Sequence, residues 1–143
     1  MIGIIVVAHE RISEAMLGAV EHVLGPQALT AALSIGADAD IQADLSEGRE
    51  RLRALIKRCD TGDGVLIFAD MFGGTPCNLA LSCMQEGKVE VISGFNLPML
   101  VKAATLRQTL TDLHLLAGQA RDAGRHHMHL ASELLDERKR ADG

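Results

Sequence analysis

Met1-Ile2-Gly3-Ile4-Ile5-Val6-Val7-Ala8-His9-Glu10 is the stretch on which the reading of this chain turns. Ile2, Ile4, Ile5, Val6 and Val7 form a nearly unbroken β-branched run, the composition of a strand buried on both faces in a parallel sheet. The run stops at Ala8, and His9 follows. A helical pattern then begins, with Ile12, Ala15, Met16, Ala19, Val20 and Val23 at spacings of three and four and Ser13 or Glu14 near its start. His9 is thereby predicted at the carboxyl end of a first strand, in the turn before a helix. In open α/β sheets, chemistry gathers at that edge, above all where the strand order reverses beside the first strand.

Outward from there the alternation continues. Leu24-Gly25-Pro26 is a stop, and Leu29, Ala31, Leu33 and Ile35 alternate through a second, weaker strand over Ala28 to Ile35. Gly36 to Asp40 reads as a loop with a helix-starting aspartate. Ile41, Leu45, Leu52, Leu55 and Ile56 then form the apolar stripe of a helix ending near Cys59, weakened by Gly48. Val65-Leu66-Ile67-Phe68-Ala69 is a second buried strand ending at Asp70. Met71-Phe72-Gly73-Gly74-Thr75-Pro76 has the grammar of a helix start, with Thr75 as N-cap and Pro76 where no N–H is required. Leu79, Ala80, Cys83 and Met84 form that helix's predicted inner face, and Gly87 ends it. Val89, Val91 and Ile92 mark a fourth strand. Phe95-Asn96-Leu97-Pro98 leads into a helix over Met99 to Leu106, and another runs from Thr111 to Ala123.

This pattern predicts a single α/β domain over 1–143: a doubly wound, mainly parallel four-stranded sheet with helices on both faces. The core is expected to span 1–124. In 125–143, Arg125 to Ala131 alternates like a short strand while Ala131 to Lys139 scores as helix; the expectation is a short antiparallel edge strand followed by a polar tail.

Composition narrows the function. The 143 residues are 48% hydrophobic and hold three Phe with neither Trp nor Tyr, so the core is aliphatic and no base-stacking surface is expected. A net charge of −5 with scattered basic residues argues against nucleic acid. Cys59, Cys77 and Cys83 lack zinc-type spacing and read as reduced thiols. The opening apolar segment has no basic flank or cleavage pattern and is too short to span a bilayer, so a cytoplasmic protein without direct membrane insertion is expected.

Three strands end on something notable: His9, then Asp70 with Gly73-Gly74-Thr75, then Gly94 with Asn96. In a parallel sheet these ends share one rim. There a carboxylate can hold one imidazole nitrogen as N–H and leave the other as a nucleophile. Main-chain N–H groups and the helix dipole after Gly73 can receive phosphoryl oxygens. The chemistry such a set suits is phosphoryl transfer through histidine, with no cofactor.

Ile2 to His9 followed by a helix, Asp70-Met71-Phe72-Gly73-Gly74-Thr75-Pro76 with Asn78, and Gly94-Phe95-Asn96-Leu97-Pro98-Met99-Leu100 together resemble the IIA component of the mannose-type sugar phosphotransferase system. The resemblance implies that His9 is the phosphorylated histidine, that Asp70 bonds its ring, and that Gly73, Gly74 and Thr75 contribute to the phosphate site. It implies a histidine phosphocarrier protein as donor, a IIB domain as acceptor, and a homodimer that exchanges its carboxyl-terminal edge strand, here His126 to Ala131. Glu10 departs from the pattern: the family commonly has glycine there, and Glu10 adds a carboxylate and a Cβ to the turn.

Plainer readings stand beside these. His9 can be a satisfied turn histidine, Asp70 an Asx-turn residue and Gly73-Gly74 a steric requirement. His126, His127 and His129 have no carboxylate or cysteine at ligand spacing, so no metal site is expected. Cys77 reads as packing, and Arg11 as either a phosphate contact or a solvated helix start. Other functions to weigh are a regulatory module switched by phosphorylation of His9, and the phosphodonor subunit of dihydroxyacetone kinase, which the Asp70 to Pro76 stretch fits less well.

Overall fold

The computed structural model describes residues 1–36 and 45–142. In chain order these form β1 (Gly3–His9), α1 (Ile12–Leu24), β2 (Thr30–Ile35), α2 (Leu45–Cys59), β3 (Val65–Ala69), α3 (Thr75–Ser82), β4 (Val89–Ser93), α4 (Leu97–Leu106), α5 (Leu113–His126) and α6 (Ala131–Asp142). The proposed loop over Gly36 to Asp40 and the helical start at Ile41 fall largely outside the described residues.

The strands lie in the order β2-β1-β3-β4, and every pairing between them is parallel. Because successive side chains on a strand point to opposite faces, the β-branched run of β1 feeds two cores at once. Ile4 and Val6, with Leu66 and Phe68 of β3, pack beneath α4 and α5. Ile5 and Val7, with Val65 and Ile67, face Leu52 of α2 and Leu79 and Ala80 of α3. The order reverses between β1 and β3, so their adjacent carboxyl ends form the switch point of the sheet.

Four local readings are corrected. β2 begins at Thr30 rather than Ala28, because Leu29 turns into the left-handed region at φ 54° and the carbonyl of Ala28 is taken by Arg107 Nη2 at 2.6 Å. On α1, Ser13 and Val20 are buried whereas Ile12 and Val23 are exposed, so the helix leans on the sheet with a narrower face than the apolar spacing implies. α3 ends at Ser82, leaving Met84 exposed in a turn. The predicted edge strand over His126 to Ala131 is not formed. The stripe of Leu113, Leu116, Ala117, Ala120 and Gly124 carries α5 through His126, and the strong helix formers from Ala131 onward build α6. A strand needs a ladder partner, and among the described residues this stretch has none.

Candidate functional site

β1 and β3 run in register, with Val7 beside Ala69 and Phe68 beside Val6. Two residues beyond Val7, β1 ends at His9, and one residue beyond Ala69 the chain leaves the sheet at Asp70. The pairing therefore delivers an imidazole and a carboxylate to the same spot from positions far apart in sequence.

The contact is direct. His9 Nδ1 lies 2.8 Å from Asp70 Oδ2, and the same oxygen accepts the main-chain N–H of His9 at 2.9 Å. Asp70 Oδ1 accepts the N–H of Met71 at 2.9 Å. An ionised carboxylate can only accept, so Nδ1 carries the proton and the neutral ring keeps its lone pair on Nε2. The side chain of Asp70 is 13% exposed and that of His9 42% exposed. The acid is enclosed and fixed on three donors, whereas the ring edge is open to solvent.

Gly74 lies along that open edge. A Cβ added there would come within 3.0 Å of His9 Cε1 and 3.6 Å of Nε2, so only a residue without a side chain lets the backbone approach the ring this closely. Gly73 before it sits at φ 86°. The N-cap of α3 is Gly74, in extended conformation and without a side-chain cap, rather than Thr75, which is the first helical residue. The N–H groups of Gly74, Thr75 and Cys77 have no carbonyl one turn earlier to bond, and Pro76 contributes none. Uncapped N–H groups beside a nucleophilic nitrogen form an anion-receiving surface.

Glu10 stands in a strained turn. Its φ is 50°, the region glycine enters freely and a residue with a Cβ enters at a cost. Its N–H donates to Ile35 O at 2.8 Å, and its carboxylate lies where a Cβ on Gly36 would stand. The turn thus keeps the backbone geometry of a glycine while carrying a glutamate folded over the end of β2.

Of the third strand end, Asn96 does not join His9. It caps α4, accepting the N–H of Met99 at 3.1 Å, and donates to Gly124 O of α5 at 2.9 Å. Cys77 is buried, in keeping with packing. Arg11 occupies the exposed N-cap position of α1. Sequence reasoning missed a buried polar pair. Ser13 Oγ lies 2.5 Å from Ser34 Oγ, and Ser34 donates to Glu14 Oε1 at 2.7 Å. Ser34 spends its proton on Glu14, so Ser13 donates to Ser34, and the first turn of α1 is tied to the end of β2. The only signal was a serine early in a helix whose neighbours read as apolar.

The arrangement is an open ledge. A cleft of 520 Å³ lies between β4 and α5 and another of 820 Å³ beside α4, and His9 lines neither. An exposed, oriented nucleophile on a ledge suits exchange of a small group with another macromolecule better than enclosure of a small substrate.

Comparison with known proteins gives the same direction. The family model described as "PTS system fructose IIA component" matches residues 3–117. The "PTS system mannose-specific EIIAB component" of Escherichia coli (strain K12) is 30% identical over 126 residues, 87% of this chain and 38% of that protein, so the chain spans well under half of that relative. The "PTS system fructose-specific EIIA component" of Bacillus subtilis (strain 168) is 30% identical over 95 residues, 66% of this chain and 64% of the relative. Among solved structures, a mannose/sorbose specific IIA subunit from Enterococcus faecalis superposes with TM-score 0.75 at 27% identity, covering 90% of this chain and 93% of that one. A phosphotransferase system EIIA from Streptococcus agalactiae shares the fold at TM-score 0.80 and 24% identity, covering 93% of this chain and 99% of that one.

Proposed function

Since the chain belongs to the mannose-type IIA family of the sugar phosphotransferase system, we propose that it is a phosphocarrier whose His9 takes a phosphoryl group from the histidine phosphocarrier protein and passes it to a IIB domain. The observation that carries this reading is the 2.8 Å contact between His9 Nδ1 and Asp70 Oδ2 at the switch point of the sheet.

On this reading Nε2 of His9 attacks phosphorus. The P–N bond of the donor's phosphoimidazole breaks, and its electron pair stays on the donor nitrogen. The new P–Nε2 bond turns the His9 ring into an imidazolium, whose Nδ1 proton remains on the ring facing Asp70. The carboxylate then stabilises the positive charge as it develops. The N–H groups of Gly74 and Thr75 and the positive end of α3 meet the phosphoryl oxygens, positioning and neutralising charge where little covalent work is required of the protein. Delivery to the acceptor runs the same step backwards. Among the described residues no helix is long and apolar enough to cross a membrane.

The reading includes a homodimer. Two observations support it: among the described residues the outer side of β4 carries no strand, and Met128, which lines the cleft between β4 and α5, is exposed.

The test is incubation with phosphorylated carrier protein and a search for acid-labile label. Wild type is labelled and His9→Ala is not; full labelling of His9→Ala would remove the proposal. Draining of the label by a IIB acceptor separates a carrier from a regulatory module that only holds it.

A further inference from the structure

Arg11 stands two residues after His9, exposed at the N-cap position of α1, and there it breaks two local rules. A guanidinium offers no acceptor to the free N–H groups of a first turn, where Ser, Thr, Asp or Asn is preferred, and α1 accordingly has no side-chain cap bond. Its positive charge also lies at the positive end of the helix dipole. The acids on either side do not answer it. Glu10 is folded over Gly36, and Glu14, three residues on and adjacent on the helix surface, accepts a hydrogen bond from Ser34 at 2.7 Å. Ser34 is held in turn by Ser13, and both serines are fully buried, so a fixed pair draws Glu14 toward the end of β2. Among the described residues no carboxylate lies within ion-pair distance of Arg11, in a chain whose net charge is −5. A cation that opposes its own helix while two acids turn away from it is the kind of local inconsistency that marks a functional position.

We infer that Arg11 is a further catalytic residue, whose guanidinium meets the oxygens of the phosphoryl group on Nε2 of His9. This rests on the phosphocarrier reading. Two residues of chain put the Cα atoms of His9 and Arg11 no more than about 7 Å apart, within the span of an extended arginine side chain. The ring edge that carries Nε2 is open to solvent on the same rim. Planar N–H donors fit two phosphoryl oxygens at once, and the guanidinium stays protonated throughout, so it neutralises charge and moves no proton. α3 packs on one face of the sheet and α1 on the other. The transferring group is therefore met by positive charge from both faces, the N–H groups of α3 and the side chain of Arg11, in a reaction that asks for positioning and charge stabilisation.

The experiment compares wild type, Arg11→Lys and Arg11→Gln by single-turnover labelling from two sources: phosphorylated carrier protein, and the small-molecule donor phosphoramidate, which has no surface to dock. Arg11→Gln is expected to lower the rate at saturating donor about tenfold or more with both sources. Arg11→Lys is expected to recover part of that loss, because an ammonium keeps the charge and loses the paired geometry. The melting temperature of Arg11→Gln is expected to equal or exceed that of wild type, since a positive charge leaves the positive end of α1. In the phosphorylated protein, the midpoint of the phosphoryl titration followed by phosphorus NMR is expected to rise in Arg11→Gln, because the dianion loses a nearby cation. Equal labelling of all three proteins overturns the inference. So does a loss confined to the protein donor, which would set Arg11 against an acidic patch on the partner. A titration midpoint unmoved by Arg11→Gln overturns it as well, whatever the rates, and covers the case in which that variant is merely less stable. Wild type that accepts label from neither source sinks the phosphocarrier reading itself, and this inference with it.

Discussion

β1 begins and ends beside a positively charged or chargeable side chain, and the two surroundings are opposite in kind. At the amino end the guanidinium of Arg107, 1% exposed, reaches under the sheet. Nη1 donates to Ile2 O at 3.0 Å, and Nη2 donates to Ala28 O at 2.6 Å and Gln27 Oε1 at 3.0 Å. No carboxylate is among these partners, and Nε has none at all. Burial lowers the pKa of Arg107 from its ordinary value, the sign of a charge held by carbonyl dipoles at some expense. At the carboxyl end the imidazole of His9 is held at one nitrogen by one carboxylate, and its other edge faces solvent. Both ends fix a polar group with hydrogen bonds. At the amino end the unpartnered nitrogen is buried and has no lone pair to offer, and the group gathers the starts of β1 and β2; at the carboxyl end the unpartnered nitrogen is open to solvent and holds a lone pair, and there chemistry becomes possible.

If this contrast is right, substitutions at the two ends separate stability from transfer. The largest effect is expected for Arg107→Met. It leaves the buried carbonyl of Ile2 without its donor and removes the bonds to Ala28 O and Gln27 Oε1, and should cost about 3–5 kcal/mol over these several bonds, read as a fall in the urea midpoint. The protein that remains folded should still accept label at His9. A variant of full stability would show that the floor of the sheet does not depend on this residue. Next is Asp70→Asn, which preserves shape but removes the charge that faces the imidazolium. Transfer should slow about a hundredfold or more while stability moves by less than about 1 kcal/mol, compared by single-turnover labelling and thermal melting.

Gly74→Ala sharpens the rim further. At φ −85° the backbone accepts alanine, so melting should hold, but the new Cβ presses on His9 Cε1, and labelling should fall about tenfold. The smallest change is expected from Glu10→Gly. It relieves the left-handed strain in the turn, and should raise stability by about 0.5–1 kcal/mol with transfer altered less than about twofold. A large loss of transfer in that variant would assign the glutamate a part in the exchange that its fold over Gly36 does not imply.

The rim was legible in sequence and the floor was not. His9 and Asp70 each end an apolar strand-forming run, so the strand itself reports where the side chain emerges. Glycines and a proline announce the helix start opposite. Arg107, by contrast, sits in Ala104-Thr105-Leu106-Arg107-Gln108, a window that reads as the solvated end of a helix. Its partners lie 79 and 105 residues away, and nothing local signals them. The Ser13–Ser34 contact escaped for the same reason. The tail misled in another way: alternation over Arg125 to Ala131 was real, but alternation describes a strand only when something stands beside it to complete the ladder. α1 shows the limit of periodicity, since Ile12 and Val23 fit the apolar spacing and still face outward.

β1 is paired on both sides and covered on both faces. Its amides should exchange with deuterium only when the whole molecule opens. The amide of His9, bonded to Asp70, is the last of that series and the first of the turn, so its exchange rate is a gauge of the site. Protection close to that of Val6 would mean that the imidazole rides on the most rigid part of the chain, and that whatever meets it must do the moving.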